Sequence, residues 1–266
     1  EYLEQRHPEQ RSVIPDDPGR AFLNFMLEDM SDEWATKFMY QQRWHDAVDQ
    51  EFYGQYLGWF REGPAPRAKV DATGAAMRDR QVGRNDLVGV SAKNRPVIDR
   101  TFQTVLGAFE TMLADGMFLF GDRPASADFS FFGQMAPGAH APGAAPIMRA
   151  EAPMTFCWLI LMDDLSGNEA GPWRDADQPL GEALMDLLRL CGDAYLPFMQ
   201  ANAASLEASR EEVELEIWGT HYRQRPFRYQ GKCYRILRER FAALSSDDRS
   251  RIAPVLEETG CLPYLV

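Results

Sequence analysis

DPGRAFLNFMLEDMSDEWATKFMYQQRW, residues 17–44, is the stretch on which the fold class turns. Asp17 offers an oxygen to cap a helix N-terminus, and Pro18 suits the first helical position because its missing N–H would have no partner there. Apolar side chains then recur at Phe22, Phe25, Met26, Met30, Trp34 and Phe38, which is helical spacing. Glu33 and Lys37 stand i,i+4 in the favourable order. The pattern runs on through Tyr40, Trp44, Val48, Phe52 and Leu57 to about Arg61, and Gly63-Pro64-Ala65-Pro66 stops it. Forty-odd residues is long for one globular helix, so a kink or break is expected near Gly54 or Gly58.

The same periodicity recurs on the C-terminal side. Residues 75–115 read as two helices or one bent helix with a restart at Asn94-Arg95-Pro96, after which Ile98, Phe102, Val105, Leu106, Phe109 and Leu113 form one core-facing stripe. Gly116 closes it. A short helix is predicted over Ser126–Met135, then a loop from Ala136 to Pro146. The next helix, from Pro153, is apolar nearly all round and is expected to be central. Ser166–Pro172 is the strongest internal boundary. Beyond it Leu180, Leu184, Leu187, Leu188 and Cys191 make a further stripe. Glu211–Trp218 alternates charged and apolar residues, so at most one short strand or hairpin is expected between Glu211 and Thr220. Phe227–Phe241 is helical, with Cys233, Leu237 and Phe241 on one side and Arg228, Lys232 and Arg235 on the other. The fold class is therefore all-α. The single-sided stripes of the tail need a surface to cover them, so the tail is expected to dock on the preceding helices.

Composition excludes several functions. A formal charge of −12 argues against a nucleic-acid partner and against an anionic membrane surface. The longest apolar run, Met154–Met162, is far short of the ~20 residues that span a bilayer. Apolar residues make up 45 % of the 266, enough for a sizeable core. Four scattered cysteines, 157, 191, 233 and 261, with no CxxC pair, suit a reduced, cytoplasmic protein. Residues 221–251 carry nine positive and three negative side chains, so the tail's charge complements the acidic remainder.

No nucleotide, hydrolase or metalloprotease motif is present. His45, Asp46 and Asp49 lie close on one helix without a second histidine nearby and read as a polar face; no metal is expected. Asp163 and Asp164 read as solvated, and Cys233 as a buried structural thiol although Lys232 precedes it. The basic face at Arg228, Lys232 and Arg235 reads as an offset to the acidic remainder, with an anionic ligand as the alternative.

The segment Met117-Phe118-Leu119-Phe120-Gly121-Asp122-Arg123-Pro124-Ala125-Ser126-Ala127-Asp128-Phe129 resembles the C-terminal domain of the glutathione transferase family, in which a Gly-Asp-x-Pro turn leads through a capping box into a buried helix. Ala127 and Asp128 match. Ala125 stands where the family carries Ser or Thr, so the cap is either missing or displaced to Ser126. Tyr2–Pro8 is similar to the last helix of the family's thioredoxin-like domain, and Ile14–Pro18 to the following linker. Leu27–Trp34 with Tyr40, Arg43 and Trp44 is similar to bacterial members of the superfamily.

The resemblance implies residues 1–16 as a remnant and linker, 17–175 as the helical domain, and 176–266 as a helical extension. It further implies a reaction of glutathione with a small hydrophobic electrophile, with glutathione and the activating Ser, Tyr or Cys held by a thioredoxin-like domain that this chain lacks. The chain alone is then expected to be inactive and to shape the co-substrate pocket. A homodimer is in keeping with the resemblance. By the same resemblance Tyr40, Arg43 and Trp44, which share a helix face, line the cleft and bind substrate; read from their spacing alone, they are rather ordinary core with an internally paired arginine, since aromatics at helical spacing are usually core. The alternative function is a non-catalytic binding or interaction module on the same fold, or a carrier of apolar small molecules.

Overall fold

A computed structural model of the chain describes Glu4, Arg6, His7 and residues 11–266. Apart from those first three, the expected helical turn at Tyr2–Pro8 lies outside the described residues.

Helix α1 (Pro18–Met30) begins as expected, the Asp17 carboxylate accepting the Arg20 N–H at 2.8 Å. The long pattern does not break at Gly54 or Gly58. One wide π-helical turn, Ser31–Ala35, joins α1 to α2 (Thr36–Trp44), and the break comes at Asp46, whose backbone is extended, before α3 (Ala47–Glu62). Side chains collect the carbonyls freed there: Gln50 Nε2 donates to Trp44 O and His45 O, and Asn85 Nδ2 to Trp44 O. Gly54 and Gly58 are instead contact residues, facing Gly74 on α4 (Arg67–Val82). A Cβ on Gly58 would stand 2.5 Å from Val70 O and 2.9 Å from Gly74 N, and one on Gly74 would collide with Gly54 O. The two helices therefore touch backbone to backbone.

After a short α5 (Asn85–Val88), α6 (Arg95–Asp115) buries Ile98, Phe102, Val105, Leu106 and Phe109. A turn with Phe118, Leu119 and Phe120 buried leads into α7 (Ser126–Met135). Its N-cap is Ala125, which has no acceptor, so only half of the capping box forms: Asp128 Oδ2 accepts Ala125 N at 2.8 Å. Asn24 of α1 supplies the missing oxygen, accepting Ala127 N at 3.1 Å. Helix α8 (Ala144–Glu151) occupies part of the expected loop. Helix α9 (Pro153–Met162) is not central. It buries Thr155, Trp158, Leu159 and Met162 but exposes Met154, Cys157, Ile160 and Leu161, because only one of its sides meets α6–α8. The boundary segment is stitched down by Asp122 N to Pro172 O, Gly171 N to Asp122 O and Arg174 N to Phe120 O.

The tail holds α10 (Glu182–Leu190), a second π-helical turn (Cys191–Tyr195), α11 (Leu196–Glu207), an antiparallel hairpin, α12 (Arg228–Ala243) and α13 (Ser246–Glu258). In the hairpin β1 (Val213–Ile217) pairs with β2 (Thr220–Gln224), Val213 opposite Gln224 and Ile217 opposite Thr220. It runs four residues past the expected limit. Trp218 and Gly219, both at positive φ, form its two-residue turn. The tail packs on the earlier helices, α10 on α6 and α12 and α13 on α1. Asn94 clamps the hairpin, donating to Gly89 O and Arg223 O and accepting Arg223 N. The described residues are overwhelmingly helical, and no helix among them is long and apolar enough to cross a membrane.

Candidate functional site

The seam where α12 lies along α1 combines a small-molecule-sized hollow with perturbed titratable groups. At one end is a groove of about 430 Å³, within the size range of ligand pockets. Its walls include Ile14, Phe22, Phe25 and Leu244, its polar groups Glu4, Asn24, Glu28, Ser126 and Arg240. Ser126 Oγ donates to Glu28 Oε2 at 2.6 Å and accepts from Asn24 Nδ2 at 2.8 Å. The Arg240 guanidinium lies 3.9 Å from the Phe25 ring centroid, a cation–π contact that sets a positive charge on the groove's edge. A larger depression between α11 and α12 has apolar walls too, Tyr234, Phe241, Leu265 and Val266 among them, but is rimmed by the charges of Glu207, Arg235, Arg238, Glu239 and Arg249.

Farther along the seam Asp29, Glu33 and Lys37 follow one another at i,i+4 across the π-helical turn. Tyr195 donates its hydroxyl to Asp29 Oδ2. Burial pushes the Asp29 carboxyl up to about 6, against the lowering effect of that bond. Burial, with Asp29 as a like-charged neighbour, pushes Glu33 up to about 7. Lys37 does not pair on the surface with Glu33. It is buried, donates to Gln224 Oε1 at 2.7 Å and Val88 O at 3.2 Å, and sits 4.5 Å from the Phe198 ring centroid. Burial pulls its amine down to about 7. Cys233, hydrogen-bonded to Asp29 and Tyr229, is pushed up to about 12 by burial first and then by the two carboxylates. It is a thiol at neutral pH, not an attacking thiolate.

The three residues expected at the cleft are dispersed in role. Tyr40 is buried and donates its hydroxyl to Gln81 O at 2.7 Å. Arg43, half-buried, lies over the Tyr53 ring at 5.8 Å and donates Nε to Met39 O. Trp44 is fully buried, 6.0 Å from the Tyr53 ring, and packs as core. Trp44→Phe should therefore leave iodide quenching of tryptophan fluorescence unchanged while costing about 1–3 kcal/mol of stability. A loss of quenching in that variant would put Trp44 at the surface.

Asp49, read from sequence as part of a polar face, is buried and accepts Gly143 N at 2.9 Å, and Asp46 takes a two-pronged ion pair from Arg95. Asp163 and Asp164 are exposed. On the basic face, Arg235 pairs with Glu239 at 2.7 Å. Spacing had picked out Phe22 and Phe25 but not Arg240 or Glu28, and the signal for Arg240 was its excess of positive neighbours. No family model, curated protein or solved structure matches the chain.

Proposed function

We propose that this chain is the helical part of a glutathione transferase-like protein, and that the α1–α12 groove is the pocket for its hydrophobic co-substrate. The groove itself carries the reading. Its volume of about 430 Å³ and its Ile14, Phe22, Phe25 and Leu244 walls suit a flat apolar molecule. The described thiols with shifted acidity are pushed upward, so on this reading the reacting sulfur is glutathione's and is activated by a thioredoxin-like partner domain. Tyr40 and Arg43 line no part of this groove. The second reading, a binding module without catalysis, shares the groove and drops the sulfur chemistry.

Both halves of the proposal are testable. Residues 1–266 should bind one equivalent of the anionic dye 1-anilinonaphthalene-8-sulfonate. Ala21→Trp, which fills the groove, should weaken binding about tenfold, or about 1.4 kcal/mol. Dye affinity indifferent to Ala21→Trp would remove the groove from the argument. The chain alone should not conjugate 1-chloro-2,4-dinitrobenzene with glutathione above background, and a clear rate would place the sulfur site within it.

A further inference from the structure

Helices α11 and α12 each turn one row of side chains toward the depression between them. Gln200, Ala203, Ala204 and Glu207 stand at i, i+3, i+4 and i+7 on α11, and Gly231, Tyr234, Arg235 and Arg238 repeat that spacing on α12. Ala203, Ala204 and Gly231 are too small to fill the gap between the rows, and a hollow of about 800 Å³ is left, within the size range of ligand sites. Two bonds fix its end wall of Leu265 and Val266. Tyr234 donates its hydroxyl to Tyr264 O at 2.8 Å, and Arg238 Nη2 donates to Val266 O at 2.9 Å. The hollow is separate from the co-substrate groove. Phe241 lines it and packs on Phe22 of that groove at 5.4 Å, so α12 stands between the two.

We propose that this hollow binds a small phosphate ester that carries hydroxyl groups. The first argument is charge. Arg235, Arg238 and Arg249 all line it. Arg235 pairs with Glu239 of its own helix at 2.7 Å, and Arg249 has no ion-pair partner among the described residues. Arg251, two residues on, bonds both Asp17 and Asp248, so acidic partners lie within reach of α13 and Arg249 does not take one. The second argument is donor geometry. Three planar guanidinium groups offer more N–H forks than the two oxygens of a carboxylate can accept, and the three terminal oxygens of a phosphate ester suit them better. The third is the rest of the lining. Gln200 and Glu207 offer acceptors to hydroxyl groups on the ligand. A hydrocarbon chain laid there would cover both without a hydrogen bond, at a cost. Tyr234, Leu265 and Val266 are left to cover the ligand's carbon atoms.

Isothermal titration of residues 1–266 with glycerol 3-phosphate should show one equivalent bound at millimolar concentration or below, and more tightly than inorganic phosphate. Arg249→Gln and Arg235→Gln, both at exposed positions, should each weaken it about tenfold with an unchanged circular dichroism spectrum. Glu207→Ala should weaken glycerol 3-phosphate and not inorganic phosphate. Arg228→Gln, on the same helix but outside the hollow, and Ala21→Trp, in the other groove, should leave the affinity unchanged. The absence of binding at millimolar ester overturns the proposal. So does an equal loss in Arg228→Gln and Arg249→Gln, which would mean diffuse attraction to a basic surface. Stoichiometric binding of dodecanoate that Arg249→Gln abolishes would give the hollow to an apolar anion and overturns it as well.

Discussion

Trp34→Ala should cost about 3–5 kcal/mol, a large fraction of the stability of a domain this size. Trp34 is fully buried in the π-helical turn after α1, where three separate parts of the chain meet. Its Nε1 donates to Thr101 Oγ1 of α6 at 3.1 Å. Its ring lies 5.2 Å from Phe198 of α11 and 5.5 Å from Tyr222 of β2. Truncation empties the space between the first helices and the tail and leaves the Thr101 hydroxyl with one fewer partner. Urea unfolding should show a lower midpoint. Limited proteolysis should cut the variant first between residues 163 and 181, where the connection to the tail carries no helix. Trp34→Phe keeps most of the packing and should cost about half as much. A loss below about 1 kcal/mol for Trp34→Ala would show that the junction does not hold the tail.

Stability should pass through a minimum near pH 7, unlike the usual profile in which neutral pH is comfortable. Asp29, Glu33 and Asp128 keep their protons in the folded chain to about 6, 7 and 7, whereas unfolding returns them to ordinary carboxyl values near 4. Between those limits the folded state binds more protons, so stability is full below pH 4 for these groups and falls as pH rises to 7. Lys37 works in the opposite sense. Folding lowers its amine from 10.5 to about 7, so above pH 7 the unfolded state binds the extra proton and stability climbs. The climb ends near pH 9, where unfolded cysteines ionise while buried Cys233 and Cys261, pushed up to about 12, do not. Each group contributes a slope of about 1.4 kcal/mol per pH unit within its window. Thermal unfolding across pH 4 to 9 should trace the dip. Lys37→Met should flatten the alkaline side, and Asp29→Asn with Glu33→Gln should shrink the acid side. A melting temperature that peaks at pH 7 would refute the assignment.

Much of the helical frame was legible because burial leaves a 3.6-residue trace: the α6 stripe and the Cys233, Leu237, Phe241 row fall where expected. What depends on distant partners was not. Gly54 and Gly58 look like breakers in a linear reading, and only Gly74 on the next helix explains them. Glu33 and Lys37 look like a surface pair until α11, α12 and β2 cover them. β2 escaped notice because Thr220-His221-Tyr222-Arg223-Gln224 is polar, with only Tyr222 and Gln224 buried. Arg240 of the groove meets Phe25 across most of the chain length. The π-helical turn did leave a sign. Phe22, Met26, Met30, Trp34 and Phe38 are spaced by four and all buried, yet in a regular α-helix each step of four overshoots by about 40°. Such a stripe stays on one side only if the helix widens somewhere along it.

That widened turn makes the chain's length adjustable at one point. A wide turn spends one extra residue on nearly the same rotation, so deleting one residue from Ser31–Ala35 would restore ordinary α-helical winding and leave the two halves facing much as before, about 1.5 Å closer along the axis. A single missing codon there should be absorbed, where the same loss inside α1 would rotate everything beyond it by roughly 100°.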